Sequence, residues 1–208
     1  MSSRSGGTKR IEPLAVADFD ESHRDALRGF LGDEGLRHFV SDAPDAPRMP
    51  NVLGTLLRHP ALAGPWLIYN DVLLRRGTLD PRLRELAILR VAWVTGSEYE
   101  WLQHVRLARG LGIGEEEIEA IADRGSWDWP PLDALVLEAT GELLDAYAIG
   151  DATWQRLGEH LDETQMMELV FAVGSYTCLA MAFKSFGVAL DPDLVDLQAP
   201  RPNGCRAK

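Results

Sequence analysis

From Leu86 to Val94 the chain offers a helix almost no polar face, Arg90 excepted, and Thr95-Gly96-Ser97 then closes the stretch. A helix that is apolar nearly all round must lie inside a protein, so other elements have to cover it from several sides. The rest of the chain supplies elements of the same kind. Apolar residues recur at three- and four-residue intervals, and no segment sustains period-two alternation. The pattern predicts an all-α domain of roughly eight helices.

Punctuation sets the order. Asp18 to Leu31 carries a helical pattern that Gly32 and Gly35 break. Pro44, Pro47 and Pro50 make an extended connector, because each also biases its predecessor away from the helix region. The main helical domain is therefore expected over 49–194, after an extension at 1–48 and before a polar tail at 195–208. Residues 1–12 are expected to be mobile. A short helix ends at His59-Pro60, and Pro65 suits the first turn of the next. Asp80 is the expected N-cap, and Pro81 the first residue, of the central helix. Helices then follow over 98–110, 115–122, 132–148, 151–161 and 163–186. Leu83-Arg84-Glu85-Leu86 is echoed by Met166-Met167-Glu168-Leu169, which suggests two weakly related helical hairpins.

Composition excludes several functions. Apolar residues make up 46% of 208, enough for a sizeable core, and 21 basic against 32 acidic residues leave a net charge of −11. Such a chain repels nucleic acid and anionic membrane surfaces, so neither is an expected partner. The two cysteines, Cys178 and Cys205, form no CxxC, and a reducing cytoplasm is the expected setting. Cys178, within an apolar run, is expected to be buried. The first residues lack the apolar core of a secretory signal, and Leu169–Phe183 is too short for a confident membrane span.

Titratable groups cluster around the Thr95-Gly96-Ser97 corner. Glu85 sits among apolar neighbours, where a carboxyl has a raised pKa and exchanges protons near neutral pH. Pairing with Arg82 or Arg84 is the structural alternative. Ser97-x-x-Glu100 fits a capping box, which by itself accounts for both residues. Glu100 and His104 are one turn apart on one helix face, so the carboxylate is expected to orient the imidazole. Two ligands are too few for a metal site, and there is no GxGxxG or Walker A, so no metal or cofactor is expected. No GxSxG elbow supports Ser97 as a nucleophile. Trp93, Trp101 and Trp154 read as core or interface.

Arg82 to Ala92, Ser97-Glu98-Tyr99-Glu100-Trp101-Leu102-Gln103-His104 and Leu169 to Tyr176 resemble the carboxymuconolactone decarboxylase / alkylhydroperoxidase D superfamily. The resemblance extends over about 49–194. It implies an all-α alkylhydroperoxidase D-like fold, a small-molecule substrate and a homo-oligomer, trimeric or hexameric. The peroxidase branch uses a glutamate, a CxxC pair and a histidine. Carried over by position, these fall on Glu85, on Ser97 and Glu100, and on His104, with Tyr99 in the relay. Serine and glutamate can neither attack a peroxide as a thiolate nor resolve a disulfide. The implied chemistry is that of the decarboxylase branch: a cofactor-independent acid–base lyase or isomerase. In it Glu85 and His104 move protons, Glu100 orients His104 and Tyr99 donates. The competing readings are a non-catalytic helical oligomer that binds a ligand or partner, and an antioxidant alkylhydroperoxidase, which the missing cysteines disfavour.

Overall fold

The computed structural model describes residues 9–40, 47–123 and 127–202. The expectations for residues 1–8, for Pro44 and for Cys205 lie outside these residues. Among the described residues every regular element is helical. They are α1 (Glu21–Phe39), α2 (Asn51–Leu56), α3 (Pro60–Asp71), α4 (Pro81–Thr95), α5 (Glu98–Gly110), α6 (Glu115–Asp123), α7 (Pro131–Ala146), α8 (Asp151–Leu157), α9 (Glu163–Phe186) and α10 (Pro192–Val195). A 3-10 turn at Val16–Asp18 precedes α1, and a π turn at Val72–Arg76 ends α3. The all-α class is the one the periodicity predicts. The expected domain at 49–194 holds α2 to α9, in keeping with roughly eight helices, with α10 at its end; an element as short as α10 leaves no periodic signal.

By its contacts the chain forms two units. The first comprises residues up to Arg76 together with Phe183–Val195. In it α1 packs on α3, and Phe19, Leu27, Leu36, Leu57, Ala63 and Leu67 form a buried core. Instead of ending at Leu31, α1 kinks at Gly32 (φ 70°, ψ 175°) and resumes, which brings Leu36 into the same core. The helix α3 begins at Pro60, not Pro65. Pro60 takes the first-turn position, and the carbonyl that Pro65 leaves without a donor belongs to exposed Ala61. The segment 9–12 is held in place, contrary to the expected mobility: the Arg10 and Ile11 N–H groups both donate to the Phe186 carbonyl at 3.0 Å.

The second unit, Gly77–Ala182 with the residues from Asp196 onward, is built around α4, which packs against α5, α6 and α7. Every residue from Glu85 to Ala92 is buried, as the apolar run requires. Asp80 caps the helix by accepting from Arg82 N at 2.7 Å, and Pro81 opens it. Arg82 is committed elsewhere than Glu85. Its Nε and Nη2 donate to Asp133 on α7 at 3.0 and 2.7 Å, and Nη2 also reaches Glu117 on α6. The loop before α4 is pinned by Glu168 of α9, which accepts from Thr78 N at 2.8 Å and Leu79 N at 2.6 Å. Glu168 is the counterpart of Glu85 in the internal echo, yet the two carboxylates do different work. Part of the expected tail lies along α5: Trp101 Nε1 donates to the Pro200 carbonyl at 2.7 Å, and Arg201 Nη1 to Glu98 at 3.0 Å. Cys178 is exposed rather than buried, because α9 is apolar all round while its neighbours cover only part of its circumference.

The Glu168 clamp yields a first prediction. Hydrogen bonds from backbone N–H groups to a carboxylate are worth about 1.5–3 kcal/mol in all. Glu168→Ala should therefore lower the melting temperature, followed by circular dichroism, by about 3–12 °C. Glu168→Gln, which keeps one acceptor oxygen, should lose less.

Candidate active site

The corner between α4 and α5 is fixed by backbone geometry. Gly96 takes the left-handed conformation (φ 68°, ψ 32°), which a Cβ would strain. Its N–H donates to Trp93 O at 3.1 Å and the Ser97 N–H to Ala92 O at 2.9 Å, the paired bonds that close a helix C-terminus. This closure also sets Ser97 at φ −85°, ψ 86°, short of the extended value of an N-cap. Ser97 accordingly makes no cap hydrogen bond, and the expected capping box with Glu100 does not form. Ser97 Oγ and both Glu100 carboxylate oxygens are buried without any hydrogen-bond partner. The local role that would have accounted for both residues is absent.

Glu85 and His104, by contrast, meet. Glu85 Oε2 lies 2.6 Å from His104 Nδ1, joining α4 to α5. The pair is closed off: Glu85, Ser97 and Glu100 are each 1% exposed and His104 6%. Tyr176 of α9 stands edge-on to the imidazole, with ring centroids 4.8 Å apart at 88°. Arg84 Nε approaches Glu85 Oε1 at 3.5 Å without hydrogen-bond geometry, so it contributes charge rather than a directed bond. Glu100 is not what orients His104; Glu85 does so from the neighbouring helix. Tyr99 is buried, and its hydroxyl accepts from Gln103 Nε2 at 3.3 Å. Tyr176 was not among the candidates from sequence, although it ends the apolar run that carries the resemblance. Only the packing of α9 reveals its place beside His104.

The two buried carboxyls are pushed in opposite directions. Burial raises the Glu85 carboxyl, but the charge and hydrogen bond of His104, with Arg84 adding to them, outweigh it. The net effect holds Glu85 below the usual carboxylate range, the reverse of the raised value expected from its apolar neighbours. Burial alone acts on Glu100 and raises it well above that range. An ionised Glu85 accepts the Nδ1 proton of His104, which leaves Nε2 as the ring nitrogen able to exchange a proton with a ligand. A neutral Glu100 is a hydrogen-bond donor. Glu100 and His104, four residues apart, share one face of α5, and Ser97 immediately precedes that helix.

A carboxyl raised on folding adds stability below its unfolded pKa and loses it as pH rises through the folded value. A lowered one does the opposite, so the Glu85 contribution fades in acid. Glu100→Gln, which removes the ionisable group at constant shape, should raise the melting temperature by several degrees at pH 8. At pH 4, where Glu100 is largely protonated in both states, the change should be small. Thermal unfolding at the two pH values measures the difference.

Residues 60–135 match the model of the Carboxymuconolactone decarboxylase family. No curated protein matches the chain. Solved structures do. A peroxidase-related protein from Ralstonia eutropha JMP134, described as an alkylhydroperoxidase AhpD core, is 16% identical with a TM-score of 0.72, the match covering 89% of this chain and 93% of that one. An uncharacterized peroxidase-related protein from Silicibacter sp. TM1040 is 13% identical with a TM-score of 0.72, covering 93% and 97%. A cysteine-to-alanine variant of the debrominase Bmp8, in complex with 2,3,4-tribromopyrrole, is 13% identical with a TM-score of 0.66, covering 88% and 92%. At these identities the likeness is one of fold. Residues 60–135 are thus similar to the carboxymuconolactone decarboxylase family, and the fold is alkylhydroperoxidase D-like, in a sequence without a CxxC pair.

Proposed function

We propose that this protein is an acid–base enzyme of the carboxymuconolactone decarboxylase-like type, a lyase or isomerase acting on a small carbonyl or carboxylate compound. The observation that carries this reading is the buried Glu85–His104 contact at 2.6 Å, set beside a second buried carboxyl with no partner. Removing a proton next to a carbonyl requires a base at the carbon and a donor at the oxygen that becomes an enolate. His104 Nε2, on the ring that the Glu85 carboxylate holds at Nδ1, is the base. Glu100, whose carboxyl burial pushes toward the protonated form, is the donor, and the Ser97 hydroxyl at the start of that helix is a second. Glu100 therefore acts on substrate rather than as the orienting group for His104. Tyr176 limits the tilt of the imidazole. The same two proton transfers serve decarboxylation, double-bond or lactone isomerisation and hydration. They need no electron acceptor, so protein side chains suffice. A small cyclic ligand is compatible with the fold, since the neighbouring debrominase is in complex with a tribromopyrrole. Thiol peroxidation fits poorly, because Ser97 and Glu100 stand where two thiols would be needed. The setting we propose is the cytoplasm, with the chain as a homo-oligomer.

Solvent exchange tests the reading without knowledge of the natural substrate. In D2O, wild-type protein should incorporate deuterium next to the carbonyl of at least one member of a panel of small lactones and enolisable carboxylates, followed by NMR. His104→Ala and Glu85→Gln should each slow that exchange by about 10²–10⁴-fold with helical content unchanged. Exchange that persists at the wild-type rate in both variants would rule out the assigned roles. Absence of exchange from wild type, with melting altered in the variants, would favour the non-catalytic reading.

A further inference from the structure

Arg84 stands beside the Glu85–His104 pair with its donors idle. Other arginines of the same unit are committed. Arg82 bonds Asp133 and Glu117, Arg90 donates to the Ile121 carbonyl at 2.9 Å, and Arg109 holds Glu115 through two nitrogens. Two of these are less enclosed than Arg84: the side chains of Arg82 and Arg109 are 29 and 28% exposed, that of Arg84 12%. Yet Arg84 Nε is buried without a hydrogen-bond partner. An enclosed guanidinium with unused N–H groups destabilises a fold unless something takes them up.

Glu85 does not supply the missing bonds. Consecutive residues in a helix do not face each other, and Arg84 Nε stays 3.5 Å from Glu85 Oε1, outside hydrogen-bond geometry. The other oxygen, Oε2, is taken by His104. The carboxylate thus has the imidazole at one oxygen and the guanidinium near the other. The Nη1–Nη2 edge of Arg84 has no acceptor among the described residues. Such an edge fits one class of group: two parallel N–H donors match the two oxygens of a carboxylate lying in the guanidinium plane. A chain of net charge −11 does not collect anions over its surface, so an acidic ligand needs a local cation of this kind.

We propose that Arg84 binds a carboxylate of the substrate, and one that the reaction leaves in place. Given the acid–base roles of Glu85, Glu100 and His104, on which this assignment rests, the substrate is an oxo acid with its carbonyl at Glu100 and its carboxylate at Arg84. The proton on the carbon next to the carbonyl goes to His104 Nε2. The C–H electron pair forms the enol double bond, and the carbonyl oxygen takes the proton of Glu100. Return of the His104 proton to the far carbon of a conjugated double bond, with the enol proton going back to Glu100, gives an isomer. No bond to the carboxylate breaks. Loss of carbon dioxide from that group would draw its charge away from the guanidinium, so Arg84 stabilises the carboxylate before reaction more than in the transition state and opposes decarboxylation there.

Binding tests this apart from turnover. Levulinate and 3-oxocyclopentanecarboxylate, each with its methyl ester, are titrated into the full chain by calorimetry. In wild type at least one acid should bind about tenfold or more tighter than its ester. Arg84→Met should bring acid and ester within about twofold of each other, and Arg84→Lys should restore part of the preference, with helical circular dichroism unchanged in both. An acid preference without deuterium exchange in D2O would keep the carboxylate site and remove the acid–base reading. Exchange in wild type with acid and ester binding alike would keep that reading and overturn the site. Failure of both acids to bind, an acid preference that survives in Arg84→Met as a merely structural arginine would leave it, or labelled carbon dioxide released from the carboxyl-labelled acids would each overturn the proposal.

Discussion

The contact between Glu85 and His104 is the one on which the arrangement around α4 depends. A carboxylate in the interior is tolerated only when it is paired and hydrogen-bonded. Here the partner comes from the next helix, at 2.6 Å, and the Arg84 guanidinium adds a positive charge nearby. The pairing is possible because Gly96 turns the chain sharply enough for α5 to return along α4. The electrostatics of the pair and the geometry of the corner are therefore one constraint. Loss of either partner would leave a buried charge or a buried ring nitrogen without its complement, and neither is cheap in an apolar interior.

Glu100 shows what burial does when no partner arrives. It is as enclosed as Glu85, yet neither oxygen has a hydrogen bond, and its carboxyl is driven toward the neutral form. Two glutamates within one helical hairpin are thus pushed in opposite directions for reasons visible in their surroundings. Such a division is the kind that gives a single site both a base and an acid. Ser97, also buried and unpartnered, belongs with Glu100. A fold selected for stability alone would not retain three unsatisfied oxygens at one corner, whereas a site that takes up an oxygen-bearing ligand has a use for them.

Helix α9 carries two kinds of surface. One side supplies Tyr176 to the imidazole and Glu168 to the loop before α4. The other presents a seam of exposed apolar residues around Gly174. The sequence echo between Glu85 and Glu168 is real as a pattern but does not extend to roles. Each glutamate opens an apolar helix, and one meets an imidazole while the other meets backbone N–H groups.

The sequence by itself determined the helical class, the central burial of α4, its Asp80-Pro81 start and the turn at Thr95-Gly96-Ser97. Each of these follows from local chemistry: hydrophobic period, missing donors, a left-handed glycine. It also brought Glu85, Ser97, Glu100 and His104 to attention through spacing. What it could not supply was the pairing among them. The motif at Ser97-x-x-Glu100 read as a cap, and only the backbone angles imposed by the preceding helix end show that the cap bond is not made. Spacing placed Glu100 beside His104, yet the ring is held by Glu85, nineteen residues away in sequence. Apolar neighbours suggested a raised pKa for Glu85, and a partner from another helix reverses it. Cys178 looked buried because every side of α9 is apolar, and which side is covered depends on where the other helices lie. Local sequence fixes which groups a helix offers. Only the tertiary structure decides which of them meet, because pairing energies and desolvation depend on distances that no spacing rule contains.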